Sequence, residues 1–342
     1  MVRAGAVAVI VAVLAVASSA SSTRIDRFVL HPLVTDRGDA QLLNPWGLAA
    51  YAEGPWWIAN EGQSSSTLYD GDGRKQRLTI AVPGGPTGVV FNGGRGFVIR
   101  GGGDAAPARF LYACEDGMIR AWAPTIPNGW STEAVVAVDT GASGALFRGL
   151  TLAAGRLYAT DFHNARVRVY DSHWRRIVRR GAFVDPAIPS WYAPFGIQAL
   201  GGRIFVTYAW RAPVNGNDAP TGGYVDEFDL DGRLVAHVGR TTELDEPWGL
   251  ALAPPGFGRL GGNLLVANFG SGRINVYGRR GRGWTLHGRL PFRVPGVWGI
   301  AFGTGGMSGP RTTLFYAAGP HRWRGTTEVD VHGVLGSIAP AN

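Results

Sequence analysis

Short, nearly identical phrases recur along the whole chain and leave little freedom in how it folds. Asn44-Pro45-Trp46-Gly47-Leu48-Ala49 precedes Trp56-Trp57-Ile58-Ala59-Asn60. Ala193-Pro194-Phe195-Gly196-Ile197 precedes Ile204-Phe205-Val206-Thr207-Tyr208. Pro247-Trp248-Gly249-Leu250-Ala251 precedes Leu264-Leu265-Val266-Ala267-Asn268-Phe269. Self-similarity of this kind means one supersecondary unit used repeatedly, each copy burying its apolar faces against its neighbours.

Each unit opens on a residue followed by Gly and then an apolar strand. The six glycines are Gly47, Gly88, Gly149, Gly196, Gly249 and Gly299, separated by 41, 61, 47, 53 and 50 residues. That spacing suits a four-stranded propeller blade with loop insertions. A second apolar strand follows the first at Trp56–Asn60, Leu157–Asp161, Ile204–Tyr208, Leu264–Phe269 and Leu314–Ala318. A third strand alternates apolar and polar residues, as in Val167-Arg168-Val169-Tyr170 and Ile274-Asn275-Val276-Tyr277, the pattern of a sheet with two unlike faces. Asp70-Gly71-Asp72-Gly73, Asp116-Gly117 and Asp231-Gly232 supply hairpin turns. In the second unit, Phe97-Val98-Ile99 and Phe110–Cys114 compete as second strand, and Gly101–Pro107 reads as an inserted loop. The last unit lacks an outer strand, whereas Arg27–Val34 stands alone before the first. Pairing the two predicts an all-β, six-bladed β-propeller closed by its N-terminal strand, a single domain over residues 24–338. Closure removes exposed sheet edges. Trp46, Trp248 and Trp298 are expected to fill the wedges between blades.

Composition agrees. The chain has 52 Gly and 21 Pro without a three-residue period, and 45% of its residues are hydrophobic. Residues 1–20 read as a signal peptide: Arg3, an apolar run from Ala4 to Ala17, then small residues. The expected location is therefore secreted, extracellular or in the cell envelope. No second long apolar run predicts a membrane span. Cys114, the single cysteine, sits in the apolar run Phe110-Leu111-Tyr112-Ala113 and reads as a buried hydrophobe. The net charge is +8, almost all of it arginine, with Lys75 the single lysine. Nucleic-acid binders usually mix Lys with Arg in a patch, which disfavours that partner. The densest basic stretch, His173–Arg180, would meet an anionic envelope polymer or remain a solvated surface.

A propeller gathers distant residues around its axis. The ends of the second strands offer Asn60, Glu61, Asp161, His163 and Asn268, and Glu328, Asp330 and His332 of the last unit would join them. Oxygen donors Asn60, Asp161 and Asn268 suit Ca²⁺ on the central axis; adding His163 and His332 suits Zn²⁺ or another transition metal. Glu61 and His163 are then the candidate general bases. The competing reading makes Asp161 and Asn268 turn caps. Trp191, Tyr192 and Trp210 flank the loop Asn215-Gly216-Asn217-Asp218 and are candidate binding aromatics. No nucleophile elbow, His-Glu-x-x-His helix or phosphate loop occurs.

Asn44–Ala49, Leu157–Asp171, Pro247–Pro254, Leu264–Tyr277 and His332–Ile338 resemble the NHL-repeat type of six-bladed propeller. More narrowly they resemble an exported bacterial and plant family without established activity. The resemblance implies the fold over about residues 25–338 and no reaction, since NHL-like propellers include calcium-dependent lactonases, a zinc-dependent lyase and plain binding modules. Two readings follow. The first is a secreted, monomeric binding module for a protein, glycan or other cell-envelope polymer, or small molecule. The second is a Ca- or Zn-dependent hydrolase, lactonase or lyase with its site on the axis. A quinone-cofactor dehydrogenase fits less well, because it needs a richer Arg/His/Lys pocket.

Overall fold

The computed structural model describes residues 27–211, 218–324 and 327–341, with backbone alone at 218–221, 322–324 and 327–330. Residues 1–20, expected to be a signal peptide, the loop Asn215–Asn217 and the side chains of Asp218, Glu328 and Asp330 lie outside the described residues.

Six four-stranded antiparallel sheets account for most of the chain. Their inner strands are Pro45–Ala49, Pro86–Phe91, Phe147–Ala153, Tyr192–Leu200, Pro247–Leu252 and Val297–Phe302. Each inner strand touches the next, and the sixth touches the first, so the sheets form a closed six-bladed β-propeller. The first, third, fourth and fifth blades run from inside to outside in chain order. In the sixth, Phe28–Thr35 is the outermost strand and pairs antiparallel with Val334–Pro340.

The second blade resolves the ambiguity in the sequence. Phe110–Cys114 is its second strand, paired with Pro86–Phe91. Val98–Gly101 and Asp104–Pro107 pair as an accessory hairpin rather than a loose loop, because Gly102 and Gly103 supply φ of 61° and 91° at the turn. A second accessory hairpin, His321–Arg324 with Thr327–Val331, interrupts the sixth blade, where the sequence reading has no separate element.

Six of the seven hydrophobic clusters lie between adjacent blades. Between the first and second blades, Trp57 stacks on Phe110 at 3.8 Å. Between the sixth and first, Trp56 meets Phe315 at 5.1 Å. These two wedges are thus filled by aromatics of the second strands. Full burial of such a side chain stabilises by roughly 1.5–3 kcal/mol. Cys114 is completely buried, and burial pushes its thiol up to about 12, as suits an inert core residue.

Trp46, Trp248 and Trp298 do not fill the wedges as expected. They belong to the seventh cluster, on the axis, with Phe162, Phe195 and Phe269. The cause is a register shift in every inner strand at the residue-Gly pair, between Pro45 and Leu48, Pro86 and Val89, Phe147 and Gly149, Pro194 and Ile197, Pro247 and Leu250, and Val297 and Ile300. A bulge turns the side chain away from regular alternation, here toward the centre. Contacts across the ring prove the point: Trp46 of the first blade lies 6.0 Å from Phe195 of the fourth, ring to ring. Backbone groups released by the bulges find side-chain partners, since buried ones must. Thr160 Oγ1 donates to the Phe195 carbonyl at 2.6 Å, and Thr87 Oγ1 to the Phe147 carbonyl at 3.1 Å.

Candidate functional site

Two places concentrate functional groups: the mouth of the axis, and an arginine-lined groove on the third blade.

The axis is packed with rings. Trp298 is sandwiched between Trp46 at 3.6 Å and Phe269 at 3.7 Å, each nearly parallel to it at 13°. Trp248 and Phe195 abut this stack edge-on. His321 meets Phe269 at 5.3 Å, and its burial pulls the imidazole down to about 4, so it is neutral at physiological pH. Arg148 lies 5.1 Å from the centroid of Trp46 and 5.7 Å from that of Phe162.

Polar groups ring this plug. Glu61 begins the single turn Glu61–Gln63 after the second strand of the first blade. Its Oε2 accepts from Asn44 Nδ2 at 2.6 Å, and Asn44 Oδ1 accepts from Trp298 Nε1 at 3.1 Å. Glu115, at the same place in the second blade, pairs with Arg148. The two carboxylates face each other over Gly85, where a methyl group would lie 3.4 Å from an oxygen of each. Burial, together with the charge of Glu115, raises the Glu61 carboxyl above its ordinary value. A raised carboxylic acid stabilises the fold below its unfolded value and loses that contribution as pH climbs through the folded one. Glu61→Gln is therefore expected to match wild type near about pH 4 and to melt higher than wild type near about pH 8, as thermal unfolding at both pH values will read.

The other sequence-selected residues are placed as follows. Asn60 is fully buried and donates to Thr67 Oγ1 at 2.9 Å and Ser65 Oγ at 3.3 Å. Asp161 is fully buried against Arg168 at 2.7 Å and accepts from the backbone N–H of Asn164 at 3.2 Å. Asn268 accepts from the Asp245 N–H at 3.0 Å and donates to the carbonyls of Val266 and Arg273. The bonds of Asp161 and Asn268 cap turns and strand ends, whereas those of Asn60 tie it to side chains of the neighbouring strand. His332 Nδ1 lies 2.9 Å from Asp36 Oδ2; burial of Asp36 opposes its ionisation, but His332 holds its carboxyl below the usual range. His163 is exposed, and its carbonyl accepts from Arg211. Trp191 is 57% exposed, whereas Tyr192 and Trp210 are half-buried cross-strand partners. Among the described residues, the one cluster of three His, Cys, Asp or Glu side chains close enough to share an ion lies elsewhere, at Asp185, Asp226 and His237.

The groove is built by the outer half of the third blade and the turn at Leu230-Asp231. Arg156, Arg166, Arg168, Arg176 and Arg179 line it with Val167, Val169, Val178 and Phe183. Alternation in Arg166–Asp171 puts Arg166 and Arg168 on one face. Against these five arginines stand Asp231, held by Arg156 at 2.8 Å and Arg179 at 3.1 Å, and Asp161 beneath Arg168. Arg176 has no carboxylate partner among the described residues. The groove is cationic and partly open, the kind of surface that draws anions.

Fold and surface thus define a six-bladed propeller with an aromatic plug on its axis and a cationic groove. The chain belongs to the family of two mimivirus proteins: it is 33% identical over 318 residues to uncharacterized protein R648 of Acanthamoeba polyphaga mimivirus, covering 88% of this chain and 76% of that one. Uncharacterized protein L690 of the same virus is 32% identical over 279 residues, 77% of this chain and 74% of that one. No protein-family model matches the chain. Among solved structures it is similar to the apo form of the soluble aldose sugar dehydrogenase of Escherichia coli, with a TM-score of 0.57, 13% identity and coverage of 92% of this chain and 100% of that one. A glucose dehydrogenase structure matches with a TM-score of 0.53 at 14% identity, over 92% of this chain and 100% of that one. At such identity the likeness concerns the fold. No helix among the described residues is long and apolar enough to cross a membrane.

Proposed function

We propose that the protein is an exported, NHL-like binding propeller that holds an anionic cell-envelope polymer in the arginine groove of its third blade. The observation that carries this reading is the surplus of guanidinium groups around one groove, with Arg176 free of a carboxylate partner among the described residues and Arg166 and Arg179 about half exposed at 45% and 46%. Guanidinium forks bind phosphate and carboxylate groups in a bidentate manner. The apolar run Ala4–Ala17 supports export, and the net charge of +8 supports attraction to a polyanion.

The test is binding of a poly(glycerol phosphate) polymer by wild type and by Arg176→Ala/Arg179→Ala, measured over a range of salt. Wild type is expected to bind with strong salt dependence, and the double variant to bind about tenfold or more weakly with a shallower slope. Equal binding by both proteins would remove the groove from the function.

A second reading, a hydrolase or lyase acting at the axial mouth, is supported by the Glu61–Glu115 pair, since a desolvated acid with a charged neighbour is a common feature of acid–base sites. Its residues are Glu61 as proton carrier and Arg148 as the group holding Glu115. Screening lactone and glycoside substrates with wild type and Glu61→Gln separates it from the first reading, because loss of turnover in the variant would place chemistry there.

A further inference from the structure

Asp226 lies on the third strand of the fourth blade, within Asp218–Phe228, and His237 on its outer strand, Leu234–Gly239; the two residues are register partners. Asp185 comes from the segment that leads into this blade's inner strand. His237 Nδ1 is 2.9 Å from Asp226 Oδ1 and 3.3 Å from Asp185 Oδ2, and one ligand atom from each residue lies within 4.8 Å of the others. The side chains of Asp185 and Asp226 are 2% and 3% exposed. Both of their Oδ2 atoms are buried without a hydrogen-bond partner, the 3.3 Å approach of His237 falling outside hydrogen-bond geometry. The hydroxyl of Tyr208, a residue 4% exposed, also has no partner. Burial, then the charges of Asp226 and Asp185, raise that phenol well above its ordinary value.

Buried carboxylate oxygens without donors are costly. A protonated His237 neutralises one of the two charges and bonds well to one oxygen. A divalent cation with neutral His237 neutralises both and gives the orphaned oxygens an acceptor. We propose that Asp185, Asp226 and His237 bind a divalent transition-metal cation of the zinc type. Bonds of about 2.0–2.1 Å to carboxylate oxygen and imidazole nitrogen give ligand separations of about 3.3 Å in a tetrahedron, which is the His237–Asp185 spacing. The imidazole and the small number of ligands favour zinc over calcium, which takes six or more oxygens. His237 is 42% exposed on its side chain, so the ion has access from solvent and a fourth position remains for water. Bound metal would clamp the segment carrying Asp185 onto the fourth blade.

The test uses the full chain stripped with chelator and titrated calorimetrically with ZnCl₂, and separately with CoCl₂ for its visible absorption. One Zn²⁺ per chain, a higher melting temperature with Zn²⁺, and a tetrahedral Co²⁺ spectrum are expected. Asp226→Asn and His237→Ala should each weaken binding by more than about tenfold and lose the Co²⁺ bands. Asp226→Asn keeps the shape of the side chain and removes a buried charge, so its metal-free melting temperature should equal or exceed that of wild type. Absence of Zn²⁺ binding by wild type, or equal binding by both variants, would overturn the site; selective binding of Ca²⁺ would overturn the identity of the ion.

Discussion

Replacing Gly196 by alanine is expected to destabilise the protein by about 3 kcal/mol or more, the upper range of overpacking costs. A methyl group there would sit 2.1 Å from the Trp248 carbonyl oxygen and 2.9 Å from its carbon. Neither atom can move without moving the inner strand of the next blade. Gly249 stands in the same relation to Trp298 at 2.2 Å, and Gly299 to Trp46 at 2.5 Å. Gly47, Gly88, Gly196, Gly249 and Gly299 therefore let the inner strands approach more closely than a side chain allows. Gly149, whose nearest atom is the Phe195 oxygen at 3.2 Å, should tolerate alanine far better. Gly155→Ala provides the control: φ is +72° but nothing lies within 4 Å, so only the backbone preference of about 1 kcal/mol is lost. Denaturant unfolding of the series should rank Gly196 and Gly249 above Gly299, and Gly299 above Gly149. Equal costs around the ring would show that the inner strands can move apart.

The same glycines explain why so much of the fold was legible. A residue-Gly pair before every inner strand is a local signal, and it recurs because the geometry at the axis recurs. Trp56–Asn60 and Leu314–Ala318 coincide with their observed strands because unbroken apolar runs leave one register. The turns at Asp70-Gly71-Asp72-Gly73 and Asp231-Gly232 were equally readable: Asp70 and Asp229 each accept two backbone N–H bonds there, as Asp171 does in an equivalent hairpin that has no Asp-Gly pair. What the repeat concealed was the direction of Trp46, Phe195, Trp248 and Trp298, because a bulge changes where a side chain points without changing its letter. The sites were less legible for a different reason. Asp185, Asp226 and His237 belong to no repeated phrase, and Asp226 lies in an alternating strand where a polar residue reads as solvent-facing. Glu61 and Glu115 could be paired from their equivalent positions, but Arg148, which holds Glu115, occupies a place where most units carry an aromatic.

Asp161→Ala should cost about 3–5 kcal/mol, because it leaves a buried guanidinium without its counter-charge. Arg168 is 4% exposed and bonds Asp161 through Nε at 2.7 Å. The same carboxylate also receives the N–H of Asn164 at 3.2 Å and that of Leu146 at 3.4 Å, so it ties the end of one strand to the segment before another. Asp161→Asn can still accept those two N–H groups, and its smaller cost would measure the charge pair apart from the cap. In a double-mutant cycle, Asp161→Ala/Arg168→Met should lose much less than the sum of its single changes, since removing both charges leaves neither unpaired. Urea unfolding of the four proteins supplies the cycle. A full loss of stability with unchanged metal content would assign Asp161 to the fold. Retained stability with loss of a bound ion would instead return it to the axial metal set with Asn60 and Asn268, and the balance between those outcomes is decided by Arg168, whose guanidinium already occupies the position an ion would need beside the carboxylate.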